Sequence, residues 1–260
     1  MTQESGTDRP WDQEPWDQEP SSHGPGARAQ GASRPLAPPA REFHPPLWPS
    51  RREAGLALAE RLGAWRGQPG ALVVGLPRGG VAMAAELAGA LRLPLASWAV
   101  RKLGHPADPE VAIGAIAPGG VLLWDRASLH QLGLTPPQQA HLVADQQREL
   151  ERRRQLFGDP EPASLRDRAL LVVDDGVATG LTVRAALASL GQCQPRGLVL
   201  AVPVIDDAVA TSLEPALDGL VALARVRDLR SVGSWYHHFD QLDDATVLAL
   251  LADQRGQARP

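Results

Sequence analysis

The chain has 260 residues, 43% of them hydrophobic and 22% charged, with 26 basic against 30 acidic side chains and a net charge of −4. That balance fits one large or two small globular domains and excludes a basic, non-specific nucleic-acid binder. No apolar run approaches the roughly 18 residues that span a bilayer, and the single cysteine, Cys193, excludes an intrachain disulfide or a Cys-rich metal site. Cys193 reads as a small apolar residue near a helix end.

Residues 1–47 form a separate compositional regime. Trp-Asp-Gln-Glu-Pro occurs twice in succession, at 11–15 and 16–20, and a Pro/Gly/Ala/Ser-rich stretch runs on to Pro39. Such a segment buries too little apolar surface to offset its ordering entropy, so a disordered tail is expected, with a folded domain over 48–255. The opening residues also lack the hydrophobic centre of a signal peptide, which makes the cytoplasm the default location.

The folded pattern starts with Ser50 and Glu53, a capping box, followed by Leu58, Leu62 and Trp65 at helical spacing. Residues 71–75 read as a buried strand, and Val81, Ala84, Ala85 and Ala88 give the next helix a small-residue face. A second strand is expected over 95–100. Short strands at 111–116 and 121–124 flank the Pro118-Gly119-Gly120 turn. Thr135, Pro136 and Gln138 start the longest helix, whose stripe is Val143, Leu150 and Phe157 and whose 149–154 segment reads as a solvated charged face. Residues 169–173, 198–202 and 221–224 read as strands, with a helix face at Val183, Ala186, Leu187 and Leu190 between the first two. A final helix is expected over 244–252. Apolar strands alternating with helices imply an α/β fold, a mainly parallel sheet flanked by helices.

Chemistry concentrates after the strand at 169–173. There the chain reads Asp174-Asp175-Gly176-Val177-Ala178-Thr179-Gly180-Leu181-Thr182. In open α/β sheets ligands bind beyond the carboxyl ends of strands, where helix N-termini present free N–H groups. The N–H groups of 176–182, with the hydroxyls of Thr179 and Thr182, can surround a phosphate. Two carboxylates beside a phosphate cradle are reconciled by a polyol: Asp174 and Asp175 can accept hydrogen bonds from the vicinal hydroxyls of a ribose, with a 5-phosphate on the far side.

Two cationic segments could complete such a site. Pro77-Arg78-Gly79-Gly80 opens a helix with exposed N–H groups and a guanidinium suited to phosphate oxygens. Arg101 and Lys102 open a segment with Gly, two prolines and no periodicity, which reads as a loop. His105 reads as a loop residue. No P-loop pattern is present.

The run 170–182 resembles the diphosphate-sugar motif of the type I phosphoribosyltransferases: apolar residues, two acidic residues, a small pair, then Thr-Gly-x-Thr. Leu76 to Val81, Arg101 to Gly104, Pro109-Glu110, 112–116, 119–121, 201–204 and Val232-Gly233-x-Trp235-Tyr236-x-x-Phe239-x-Gln241 together resemble a branch of predicted bacterial members without an assigned acceptor. The similarity covers roughly 48–252. It departs at 227–230 and at His237-His238, toward the acceptor end.

The resemblance implies the type I fold with a small C-terminal and loop hood. It implies Mg²⁺-dependent transfer of a phosphoribosyl group from phosphoribosyl diphosphate to a small, nitrogenous acceptor in nucleotide metabolism. Asp174, Asp175, Arg101 and Lys102 would be the catalytic set, 176–182 the 5-phosphate loop, and Pro77, Arg78, Gly79 and Gly80 the diphosphate loop. Mg²⁺ would be held through the diphosphate, with Asp174 or Asp175 acting through water. Trp235 and Tyr236 either stack on an acceptor ring or belong to the core. A regulator that binds without turnover, and a hydrolase using water, are the alternative functions. Neither nucleic acid nor membrane is an expected partner, and a homodimer is left open.

Overall fold

A computed structural model describes residues 45–257; the expected tail over 1–47 therefore lies almost wholly outside the described residues. Ser50 caps α1 (Arg51–Arg61), its hydroxyl oxygen accepting the Arg52 N–H at 3.1 Å and its O–H donating to Glu53 Oε2 at 2.5 Å. Then come β1 (Ala71–Gly75), α2 (Gly79–Leu91), β2 (Leu95–Ser97), β3 (Arg101–His105), β4 (Asp108–Ala117) and β5 (Val121–Trp124). Two helices follow, α3 (Arg126–Leu132) and α4 (Pro136–Phe157). The chain returns through β6 (Ala169–Val173), α5 (Leu181–Gln192), β7 (Gly197–Asp206), α6 (Asp207–Leu213), β8 (Gly219–Val226) and α7 (Asp244–Gln257).

The main sheet has the order β2-β1-β6-β7-β8, with every pair parallel. β1 and β6 are buried at all five positions. Val73, Leu171 and Val173 face α1, α2 and α7, while Leu72, Val74, Leu170 and Val172 face the layer containing α5. A sheet covered on both faces needs apolar residues at every position, which is why these strands are unbroken apolar runs rather than alternating ones. The chain moves outward from β1 to β2, then crosses back to lay β6, β7 and β8 on the other side of β1. The strand direction of travel thus reverses between β1 and β6, and this is where an open α/β sheet opens a crevice.

Residues 101–110 are not the irregular loop expected from their composition. β3 pairs with β4 and β4 with β5 in a separate antiparallel sheet. Leu103 is fully buried with Ile113 and with Leu150 from α4. One buried side chain in five, with register shifts on either side of Gly104, leaves no sequence period to read; the strand is fixed by partners distant in the chain. β2 correspondingly stops at Ser97, because the chain passes to the second sheet.

The charged 149–154 segment is only partly solvated. Arg153 is 8% exposed and donates to Glu149 Oε1 at 2.8 Å, and Arg152 donates to Asp244 Oδ2 of α7 at 2.7 Å. α3 and α6, absent from the sequence reading, are seven residues each, too short to show a period. Cys193 is buried at the end of α5, as expected.

Candidate active site

The loops after β1 and β6 meet at the crevice. They enclose a cleft of about 410 Å³ lined by Leu76, Pro77, Arg78, Gly79, Lys102, Val183 and the stretch from Asp174 to Thr182 apart from Leu181. A larger cleft of about 510 Å³ lies at the opposite, amino ends of the strands, where Ala169 and Gly197 stand. It brings Arg196 and Asp218 to an open surface without paired carboxylates or a helix N-terminus among its lining residues, so the smaller cleft holds the convergent chemistry.

The wall after β6 is pinned before it turns. Val177 donates its N–H to the Val204 carbonyl and accepts from the Asp206 N–H, both at 2.9 Å. The chain then winds through Gly180, at φ +79°, into the first turn of α5. A side chain at Gly180 would be strained by that backbone and would meet Val209 Cγ1 at 2.6 Å. The first N–H groups of α5 have no partner within the helix and point into the cleft's end of the sheet.

The opposite wall is the Pro77–Gly80 turn, which contains a cis Pro77–Arg78 peptide. Gly79 and Gly80 are there for close approach: a Cβ on Gly79 would stand 1.8 Å from Asp175 Oδ2, and one on Gly80 2.5 Å from the Val173 carbonyl oxygen. Any side chain would force the two walls apart. Arg78 lies 3.6 Å from Asp244 Oδ1, with its side chain 36% exposed, an ion-pair contact too long for a hydrogen bond.

Between the walls sit the two carboxylates. Asp174 Oδ1 accepts the Asp175 N–H at 2.9 Å. Asp175 Oδ2 accepts Arg51 Nε at 2.8 Å, with the two side chains 16% and 13% exposed. Burial, and then the charge of Asp175, pushes the Asp174 carboxyl well above the usual carboxylate range. Burial raises Asp175 too, opposed by the charge and hydrogen bond of Arg51.

Of the residues picked from sequence, Asp174, Asp175, Gly176, Val177, Ala178, Thr179, Gly180, Thr182, Pro77, Arg78, Gly79 and Lys102 line the cleft together. Gly80 and Leu181 support it from behind. Arg101 does not join them. Successive strand residues point to opposite faces, so Lys102 faces the cleft while Arg101 turns to α4, where Nε and Nη2 donate to Gln146 Oε1 at 3.0 and 2.8 Å. Trp235 and Tyr236 are core residues, 6% and 5% exposed. Neither lines the cleft; instead the Tyr236 hydroxyl donates to the Asp175 carbonyl oxygen at 2.5 Å, and its burial and the Asp175 charge raise its pKa.

Sequence reading missed Arg51. Its Nη1 donates to the Asp240 carbonyl at 3.0 Å, and its guanidinium lies 3.7 Å from the Phe239 ring centre. Only a contact 124 residues away along the chain identifies it.

Two loops meet at the sheet's switch point, one winding into the N-terminus of α5 and the other a double-glycine turn, with paired carboxylates between them. The family model for the phosphoribosyl transferase domain matches residues 54–218, and the chain belongs to that family. The crystal structure of TT1426 from Thermus thermophilus is similar to it, with 36% sequence identity, a TM-score of 0.61, and coverage of 80% of this chain and 98% of that one. Two Mycobacterium tuberculosis proteins, from strains H37Rv and CDC 1551, each bearing the name "Putative phosphoribosyl transferase", are 36% identical over 206 residues. The match covers 79% of this chain and 46% of theirs, so the chain spans about half the length of those relatives. No helix among the described residues is long and apolar enough to cross a membrane.

Proposed function

We propose that this cleft binds phosphoribosyl diphosphate and transfers its phosphoribosyl group to a small nitrogenous acceptor, releasing diphosphate, as a cytoplasmic step of nucleotide metabolism. The observation that carries the reading is the placement of Asp174 and Asp175 between the Pro77–Gly80 turn and the 176–182 loop, which suits a sugar with phosphate groups at both ends. The 5-phosphate lies against the N–H groups and hydroxyls of 178–182. The ribose hydroxyls donate to the two carboxylates. The diphosphate lies toward the Gly79–Gly80 turn, Arg78 and Lys102.

Displacement at the anomeric carbon passes through an oxocarbenium-like state, so the residues act by positioning and by meeting the charge on the departing diphosphate. Arg78 has a weak present partner in Asp244 and is placed to exchange it for diphosphate oxygens. Arg101, bound to Gln146, takes no direct part in this scheme. Asp174 or Asp175 would hold Mg²⁺ through bound water, since hard carboxylate oxygens suit that ion and it keeps most of its coordination for substrate oxygens and water. The ion would supply positive charge against the departing diphosphate.

The test is diphosphate release from phosphoribosyl diphosphate and Mg²⁺, with and without a panel of nucleobases. Release only with a base is the expected result. Release without one identifies a hydrolase, binding without release identifies a non-catalytic regulator, and failure to bind overturns the reading altogether. Asp175→Asn should weaken donor binding by roughly tenfold or more, the loss of a charge-assisted hydrogen bond; unchanged affinity removes Asp175 from the ribose site.

A further inference from the structure

We infer that Arg51 is a positioning residue of this site, which fixes the Asp175 carboxylate for the ribose and ties it to the C-terminal segment 236–240. The inference rests on the donor-binding reading given above. Three contacts converge on one guanidinium. Nε donates to Asp175 Oδ2 at 2.8 Å, Nη1 donates to the Asp240 carbonyl at 3.0 Å, and the plane lies over Phe239 at 3.7 Å. Phe239 is itself stacked on Tyr236, ring centres 4.9 Å apart, and the Tyr236 hydroxyl donates back to the Asp175 carbonyl. Asp175 is therefore held at its side chain and at its backbone by one connected brace.

The brace decides which oxygen works. Oδ2 is taken by Arg51 and faces Gly79, whose added Cβ would stand 1.8 Å from Oδ2 and 3.1 Å from Arg51 Nε. Oδ1 is left as the oxygen for a ribose hydroxyl. The ion pair thus lies at the seam between the ribose site and the diphosphate turn, and it is shielded from water, with both side chains under one-sixth exposed. A pair so placed holds the carboxylate in one rotamer, with its free oxygen aimed for a ligand. Lysine cannot replace it: an ammonium has no planar fork to hold a carboxylate by one nitrogen and a carbonyl by another while stacking on a ring.

The experiment measures binding by the full chain, by calorimetry with Mg²⁺ present, of three probes: phosphoribosyl diphosphate, ribose 5-phosphate and inorganic diphosphate. Arg51→Gln should weaken both ribose-containing probes roughly ten- to hundredfold, the range for a hydrogen bond to a charged group, and change inorganic diphosphate less than about threefold. Arg51→Lys should recover less than half of that loss on a logarithmic scale. Phe239→Leu keeps both hydrogen bonds and removes the stack, so it should give a smaller loss with the same selectivity, and it serves as the test if Arg51→Gln fails to fold. Equal weakening of all three probes by a folded variant would mean a general scaffolding role and overturn the inference. Unchanged ribose 5-phosphate affinity would overturn it as well. Failure of the unmodified chain to bind phosphoribosyl diphosphate would instead overturn the donor-site reading, and this inference with it.

Discussion

Asp174 and Asp175 are adjacent, alike in chemistry and different in what surrounds them. Asp175 has a guanidinium at 2.8 Å; Asp174 has only the Asp175 N–H, at 2.9 Å, together with burial and its neighbour's charge. The folded chain therefore raises the Asp174 pKa above its unfolded value of about 3.9. A carboxyl raised on folding contributes stability that is fully present below the unfolded pKa and is lost as pH rises through the folded one. Asp174→Asn keeps the acceptor for the Asp175 N–H and removes the ionisation. It should raise the thermal midpoint by about 2–4 °C at pH 8, equivalent to roughly 1 kcal/mol in a domain of this size, and the gain should vanish as pH falls below about 4. A midpoint at pH 8 equal to or below that of the unmodified chain would show the Asp174 charge to be compensated. Such a gain, paired with lost donor binding, is the usual trade of stability for a destabilised functional group.

At the scale of elements, β3 shows how a period of two divides the work of adjacent cations. Lys102 faces the cleft and Arg101 faces α4. Lys102→Ala should weaken inorganic diphosphate binding about tenfold, as expected for loss of a charged contact. Arg101→Gln should change that affinity less than about threefold while lowering the thermal midpoint, since it loosens a half-buried contact with Gln146. The reverse ranking, read by calorimetry, would place Arg101 rather than Lys102 at the diphosphate. The pair was legible as two cations near the site; its division was not. Composition made 101–110 look like a loop, because the burial of Leu103 depends on Ile113 and Leu150, partners that no local period announces.

For the molecule as a whole, the core is closed by contacts between sequence-distant ends. Trp48 and Tyr236 form a β-bridge, Leu47 and Trp48 donate to the Trp235 carbonyl, and Val247 and Leu251 of α7 join the cluster that contains α1 and α2. Among the described residues the first buried apolar side chain is Trp48 and the last is Leu251. Deleting residues 1–44 should accordingly shift the thermal midpoint by less than about 2 °C, within the scatter of ordinary surface changes. A fall of about 5 °C or more would show that the tail contributes to the fold.

The sequence alone determined what local chemistry can encode. Unbroken apolar runs at 71–75 and 169–173 specified strands buried on both faces, because they are rich in Val and Leu and too short for a buried helix. The side-chain cap at Ser50 and the capping box at Thr135 marked helix starts, because caps are made within one turn. The two walls of the cleft were legible for the same reason: each is a contiguous segment of chain. Tertiary structure decided everything that depends on distant residues meeting. It placed Trp235 and Tyr236 in the core rather than on an open face, made a strand of 101–105, and delivered Arg51 to Asp175 across 124 positions. An aromatic or a guanidinium carries the same local signature whether it is buried or facing a ligand, and only the packing of the whole chain assigns it one environment.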